Sequence, residues 1–189
     1  MNEIKITFVG DSGSGKTCIL RSLDGYKFDE SCELRKSDNL AKCLVVNQST
    51  YRLELRDTVG SERFEYERAS LYKNTDIFFV CFAEDNPVSF RNVLVKWYPE
   101  IKKVTPKTPL CLICTKCDIK SKQIPSQELL DVKKKIRAVQ LIYCSAKTGF
   151  NIKEMFEQAI LNIFEHNVPK SPRASVLLTR FFLRSNSTT

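Results

Sequence analysis

Gly10-Asp11-Ser12-Gly13-Ser14-Gly15-Lys16-Thr17 reads G-x-x-x-x-G-K-[ST]. Glycines at this spacing let a backbone wrap a pyrophosphate with its N–H groups pointing inward. The lysine reaches the outer phosphates, and the hydroxyl after it serves Mg²⁺. A plain glycine-rich turn is the alternative, and context separates the two, because a phosphate loop needs a strand before it and a helix after it. Ile4, Ile6, Phe8 and Val9 supply the strand, and Cys18, Ile19, Leu20 and Leu23 supply a helical apolar face ending near Gly25. A second point is Asp57-Thr58-Val59-Gly60. An acid at a strand end, downstream of a phosphate loop, is where a carboxylate holds Mg²⁺ directly or through water. A turn-starting Asp-x-x-Gly is the other reading.

Cys111, Cys114 and Cys117 have the look of a metal triplet. Leu110 to Cys114 reads as a buried strand, however, and residues three apart on a strand face opposite sides. The chain has one histidine, His166, and no second cysteine pair near the triplet. Small buried thiols in a reducing compartment account for the eight cysteines better than zinc or disulfides do.

The elements that must position these groups follow in order. After the first helix, Tyr26 to Ser37 is charged and without period, a surface loop. Leu40 to Val46 reads as a strand, Asn47 to Thr50 as a turn, and Tyr51 to Leu55 as an alternating strand, together a hairpin. Ser61 to Asn74 reads as loop and then short helix. Asp76 to Ala83 is a strand buried on both faces. Asn86-Pro87 opens a helix through Phe90, Val93, Leu94, Trp97 and Ile101, whose aromatics read as core. Pro109 to Cys114 is the next buried strand and delivers Thr115-Lys116-Cys117-Asp118 to its carboxyl end. A helix from about Ser126 to Ala138 carries Lys133, Lys134, Lys135 and Arg137, either a solvated face or a contact for a partner or lipid. Leu141 to Tyr143 is a last strand, leading into Cys144-Ser145-Ala146-Lys147. Asn151 then caps a helix bearing Ile152, Met155, Phe156, Ile160 and Ile163 on one stripe. Alternating strands and helices predict an α/β, doubly wound, mostly parallel sheet with ligand loops at the strands' carboxyl ends.

The 189 residues make one natural domain with a substantial core. The formal charge is +8, and Lys170, Arg173, Arg180 and Arg184 lie beyond His166 with no acidic residue among them. Such a tail suits an anionic surface, or is simply solvated. No stretch is long and apolar enough to span a bilayer, and Met1 leads straight into a strand rather than a signal peptide. The expectation is a cytoplasmic protein.

The phosphate loop, D-T-V-G, T-K-C-D and C-S-A-K occur in this order, each at a strand end, and together they resemble the small GTPases of the Ras superfamily over roughly residues 3–165. Gly15-Lys16-Thr17-Cys18, Lys96-Trp97-Tyr98-Pro99-Glu100-Ile101 and Thr115-Lys116-Cys117-Asp118 look like Rho/Rac proteins. Asp11-Ser12-Gly13 and Glu62-Arg63-Phe64 look more like Rab proteins. The interval from Asp118 to Ser145 is too short for the extra helix of Rho proteins, so the chain is similar to a divergent member.

The resemblance implies a P-loop NTPase G domain over residues 1–165, with a six-stranded sheet and helices on both faces, followed by a basic and apolar tail over 166–189. It implies GTP or GDP with Mg²⁺ as ligands. Ser12, Gly13, Ser14, Gly15, Lys16, Thr17 and Cys18 would hold the phosphates, and Phe28 would lie against the base. Asp118 would pair with the guanine N1–H and exocyclic amine, a match adenine lacks. Thr115 and Lys116 would pack beside it, and Ala146 would donate its N–H to the guanine carbonyl between Ser145 and Lys147. Thr17 and Asp57 would serve Mg²⁺. Lys16, Gly60 and Ser61 stand at the catalytic positions. Effectors and regulators would bind through residues 26–40 and 58–74; no nucleic acid is expected.

Three departures matter. The family's switch I threonine falls on Arg35, in Glu33-Leu34-Arg35-Lys36, with no hydroxyl until Ser37. The glutamine that orients the attacking water is Ser61, whose side chain is too short for that task. Hydrolysis should therefore be slow or partner-dependent. A cis arginine finger from Arg35 is the sharper alternative, and an exposed arginine the plainer one. The last cysteine is Cys144, so no prenylation motif ends the chain. Val176 to Arg184 would instead lie in a membrane interface, dock on the domain, or be a remnant of a longer chain. The resulting expectation is a guanine-nucleotide switch, with a non-cycling binding scaffold as its rival. A small-molecule P-loop kinase has no use for T-K-x-D beside S-A-K.

Overall fold

The computed structural model describes residues 2–28, 39–120 and 122–167. Arg35 and its neighbours, and the tail from residue 168, lie outside the described residues. Six strands form one sheet in the order β2-β3-β1-β4-β5-β6. They are β1 Asn2–Val9, β2 Leu40–Val46, β3 Ser49–Arg56, β4 Ile77–Ala83, β5 Leu110–Thr115 and β6 Gln140–Tyr143. Only β2 runs antiparallel to its neighbour, with Leu40 opposite Leu55 and Val46 opposite Ser49. The sheet is the mostly parallel one expected.

Period-two alternation divides β4 between two cores. Ile77, Phe79 and Cys81 face a cluster with Phe8, Ile19 and Phe156, under α1 (Lys16–Leu23) and α6 (Ile152–Asn167). Phe78, Val80 and Phe82 face a cluster with Tyr72 of α2 (Glu65–Tyr72), Phe90 of α3 (Pro87–Asn92), Ile101 of α4 (Tyr98–Val104) and Leu129 of α5 (Ser126–Lys135). Cys111 and Cys114 fall in different clusters, one on each face of the sheet, so the cysteine triplet cannot converge on one ion. The thiols of Cys111 and Cys144 are pushed up to about 12 by burial, which keeps them protonated and inert.

Four local details differ from the sequence reading. The hairpin turn is two residues, Asn47 and Gln48, both at positive φ, as a type I′ turn requires, so β3 begins at Ser49. The α5 helix stops at Lys135 because Arg137 takes a left-handed φ of 52°. Asn151 precedes α6 at a φ of 57°, and its amide donates to the Tyr143 carbonyl rather than accepting from the helix. The long helix opened by Asn86 is three segments. The Asn86 side chain accepts from the Val88 and Ser89 N–H groups with Pro87 in the first turn. A π turn over Val93–Trp97 then joins α3 to α4, closed by the Tyr98 N–H donating to the Val93 carbonyl. Pro99 follows immediately. In an uninterrupted α-helix its ring would meet the carbonyl four residues back, and the wider turn makes room for it.

Phe79 sits with its ring 5.1 Å from Phe8 and 5.6 Å from Phe156, fully buried. Phe79→Ala is expected to lower the unfolding free energy by about 3–5 kcal/mol, measured by denaturant titration with far-UV dichroism.

Candidate functional site

The loop between β1 and α1 is shaped by close backbone approach. A Cβ on Gly10 would lie 2.2 Å from the Cys81 carbonyl oxygen, so no side chain fits there. The α1 helix starts from Gly15 with no side-chain cap, leaving its first N–H groups for an anion. Lys16 is 5% exposed, and its ammonium donates to the Gly10 and Asp11 carbonyls at 2.7 and 2.8 Å. Burial pulls its pKa down, against the raising pull of the more distant Asp57 carboxylate. Among the described residues no carboxylate pairs with it within 4.0 Å. A buried ammonium with a donor to spare and no paired carboxylate among the described residues is what an incoming phosphate would satisfy.

Thr17 lies in the first turn of α1, and Asp57 directly follows β3. The Thr17 hydroxyl donates to an Asp57 carboxylate oxygen at 2.5 Å, so two hard oxygen donors already meet at one point, a set that suits Mg²⁺. Thr58 anchors the following segment by donating to the Phe8 carbonyl at 2.6 Å. Gly60 lies directly over the phosphate loop. A Cβ there would fall 2.3 Å from the Ser12 nitrogen.

The loops after β5 and β6 form the other half of the cleft. The Thr115 hydroxyl donates to the Ser14 carbonyl at 2.8 Å and so ties this half to the phosphate loop. Ser145 donates to one Asp118 carboxylate oxygen at 2.6 Å and accepts from the Thr148 N–H, which fixes the carboxylate plane. Lys116 takes a φ of 58° and its ammonium lies 3.1 Å from both carboxylate oxygens of Asp85. Phe28 and Lys147 face each other, with the ammonium 5.9 Å from the ring centroid. One cleft of about 420 Å³ joins these groups. Ser12, Gly13, Gly15, Lys16, Thr17, Cys18, Phe28, Asp57, Gly60, Thr115, Lys116, Asp118, Ser145, Ala146 and Lys147 all line it. Ser14 and Ser61 do not. Ser14 is buried behind the loop with its hydroxyl lacking a protein partner, and Ser61 is turned to the neighbouring helix through its carbonyl.

Ile19, Thr58 and Val59 also line the cleft and were not among the expected residues. Nor was the support behind it. Arg68 of α2 is almost fully buried, and it clamps both oxygens of Glu100 at 2.8 Å. Its remaining arm donates to the carbonyls of Val59 at 2.9 Å and Ser61 at 2.5 Å. The guanidinium stacks over Trp97 at 5.0 Å, and the Tyr72 hydroxyl donates to Glu100 at 2.6 Å. Trp97 is core, as expected, yet its indole N–H donates to one oxygen of Asp11 in the phosphate loop while Asn92 donates to the other, each at 2.7 Å. Asp85 at least carried a signal, an acid just past a strand end. The Arg68–Glu100 and Trp97–Asp11 contacts carried none, because they join residues 32 and 86 apart in the chain.

The Ras family matches residues 5–165 of the chain. A curated relative, the Rho-related protein racC of Entamoeba histolytica, is 33% identical over 188 residues, covering 93% of this chain and 97% of its own.

The Arg68–Glu100 pair makes the support sensitive to acid. Burial alone would raise the Glu100 carboxyl, but the guanidinium and the tyrosine hydroxyl hold it below the ordinary value of 4.5. Its stabilisation is thus complete above pH 4.5 and fades as pH falls through the lower folded value. Glu100→Gln should flatten that acid limb in pH-dependent urea unfolding. Glu100→Ala should cost about 3–5 kcal/mol near neutral pH, because it strands a buried guanidinium.

Proposed function

The chain belongs to the Ras family, and we propose that it is a guanine-nucleotide switch whose own GTP hydrolysis is slow. Proteins of this family bind GTP and GDP, typically with Mg²⁺, and hydrolyse GTP. The observation that carries the reading for this chain is the Lys16 ammonium, buried with no carboxylate partner among the described residues, in the same cleft as the Thr17–Asp57 oxygen pair and the Asp118 carboxylate.

In this reading Lys16 and the free N–H groups at the start of α1 bind the phosphates, and Thr17 and Asp57 are the residues that would hold Mg²⁺. The ion would supply positive charge to the phosphate oxygens. Asp118, held in plane by Ser145, reads the guanine edge, and Phe28 covers the base. Lys116, braced by Asp85, and Lys147 wall the base pocket. Gly60 places its backbone where the outermost phosphate enters. Ser61 is the weak point. Its side chain is short and it lies outside the cleft, with its carbonyl committed to Arg68, so it supplies no group to orient water. The same observation favours the second reading, a scaffold that holds nucleotide without cycling.

The domain is proposed to be residues 1–165, with the basic tail from 166 as a separate contact for an anionic surface. Partners are proposed to dock over 58–74 and 26–40. Tyr66 at 91% exposure and Phe64 at 41% give the first of these segments an apolar face to offer. Among the described residues no helix is long and apolar enough to cross a membrane.

Single-turnover analysis of stripped protein reloaded with GTP and Mg²⁺ should show conversion to GDP over hours. Ser61→Gln is expected to raise that rate by about tenfold or more. Unchanged GTP in both proteins would overturn autonomous hydrolysis and leave a scaffold or an enzyme that needs a partner's arginine. Asp118→Asn should weaken GDP binding by about 10²-fold, read by displacement of a fluorescent GDP analogue, and GDP affinity unchanged in this variant would remove Asp118 from the site.

A further inference from the structure

A second concave site lies at the opposite end of the sheet from the nucleotide cleft. It has about 900 Å³ of space and is framed by the starts of β4, β5 and β6 together with the ends of α4, α5 and α6. Lys102, Lys107, Lys135 and Arg137 line it against a single carboxylate, Asp76, one of whose oxygens accepts the Lys5 backbone N–H at 2.8 Å. No described carboxylate pairs with any of the four cations within 4.0 Å. Among the described residues their one side-chain hydrogen bond is Lys102 donating to the Thr108 carbonyl at 2.8 Å. That ammonium is partly withdrawn from water, which lowers its pKa.

Lysines in the last turn of a helix are ordinarily explained by the helix dipole, and Lys102 and Lys135 satisfy that account. Lys107 and Arg137 do not, since both lie beyond the helix ends. Arg137 also occupies a left-handed backbone position at a φ of 52°, where glycine or asparagine would sit with less strain. Strain retained by a residue that lines a charged cavity points from the outlier to a use. We propose that this cavity binds a multiply phosphorylated anion, a free polyphosphate or a phosphorylated lipid headgroup, with Arg137 and Lys107 as its principal contacts. Its place about 20 Å from the nucleotide cleft, by strand length, allows both sites to be filled at once.

The test uses the full chain saturated with GDP and Mg²⁺, so that the nucleotide cleft is not the receptor. Inositol hexakisphosphate is titrated calorimetrically at about 0.15 M salt into wild type and two charge-matched variants. One is Lys107→Glu with Arg137→Glu. The other is Arg52→Glu with Lys153→Glu, on surfaces away from the cavity. A loss of at least about tenfold in the first, with the second within about twofold of wild type, is the expected result. Equal losses in both, no loss in the first, or no binding by wild type would each overturn the proposal. Retained GDP in the first variant shows that it is folded.

A vesicle arm separates the sources. The first variant is compared with wild type on phosphatidylcholine vesicles bearing phosphatidylinositol bisphosphate, and on phosphatidylserine vesicles of equal surface charge. Loss confined to the phosphoinositide vesicles identifies a lipid headgroup. Loss only with the soluble probe identifies a free polyphosphate.

Discussion

A guanidinium taken out of water has to be surrounded, and Arg68 is surrounded by every part of the molecule that must stay in register. Glu100 neutralises it from α4, the carbonyls of Val59 and Ser61 accept from it, and the Trp97 ring lies beneath it. The ring in turn reaches Asp11 in the phosphate loop. Loop, switch segment and helix are thus fixed to one another through a charge that none of them can release cheaply. A buried ion pair of this kind adds little net stability over an apolar substitute, but breaking one side of it is costly. Its contribution here is positional. It holds Gly60 over the phosphate loop while drawing Ser61 away from the cleft.

That these residues would line one cleft was legible in the sequence because its parts are local. A phosphate loop, an acid at a strand end and a T-K-C-D run each announce themselves within eight residues, and parallel strands then carry them to one edge. The two-sided burial of β4 and β5 was legible for the same reason, as unbroken apolar runs. What stayed hidden is what depends on distance. Nothing near Arg68 marks Glu100 as its partner, and a tryptophan at helical spacing reads as packing whether or not its N–H is spoken for. The end of α5 was misjudged because a left-handed arginine leaves no compositional trace. The turn of the hairpin was drawn too long because Ser49 and Thr50 read equally well as turn or strand.

Charge is distributed along the strand axis in a way that the fold makes natural. Helices antiparallel to the strands bring their N-termini to the carboxyl edge, where Lys16 and the open N–H groups of α1 meet the cleft. They bring their C-termini to the other edge, where Lys102 and Lys135 complement the dipoles. Each edge therefore offers donors to an anion, backbone N–H groups with Lys16 at one and side-chain cations at the other.

The π turn at Val93–Trp97 has a geometric meaning of its own. A π turn is an α-helix holding one residue more than its hydrogen bonds can count, and a single added residue rotates everything after it by about 100° relative to the helix before. Asn92 lies before that rotation, Trp97 within it and Glu100 beyond it. A spacing of five would set Asn92 and Trp97 about 140° apart on an α-helix, and the wider turn brings both to Asp11, whereas Trp97 and Glu100, three apart, share a face in either case. The irregularity works as a gear tooth: it sets the phase between the half of the helix that grips the phosphate loop and the half that grips the switch segment.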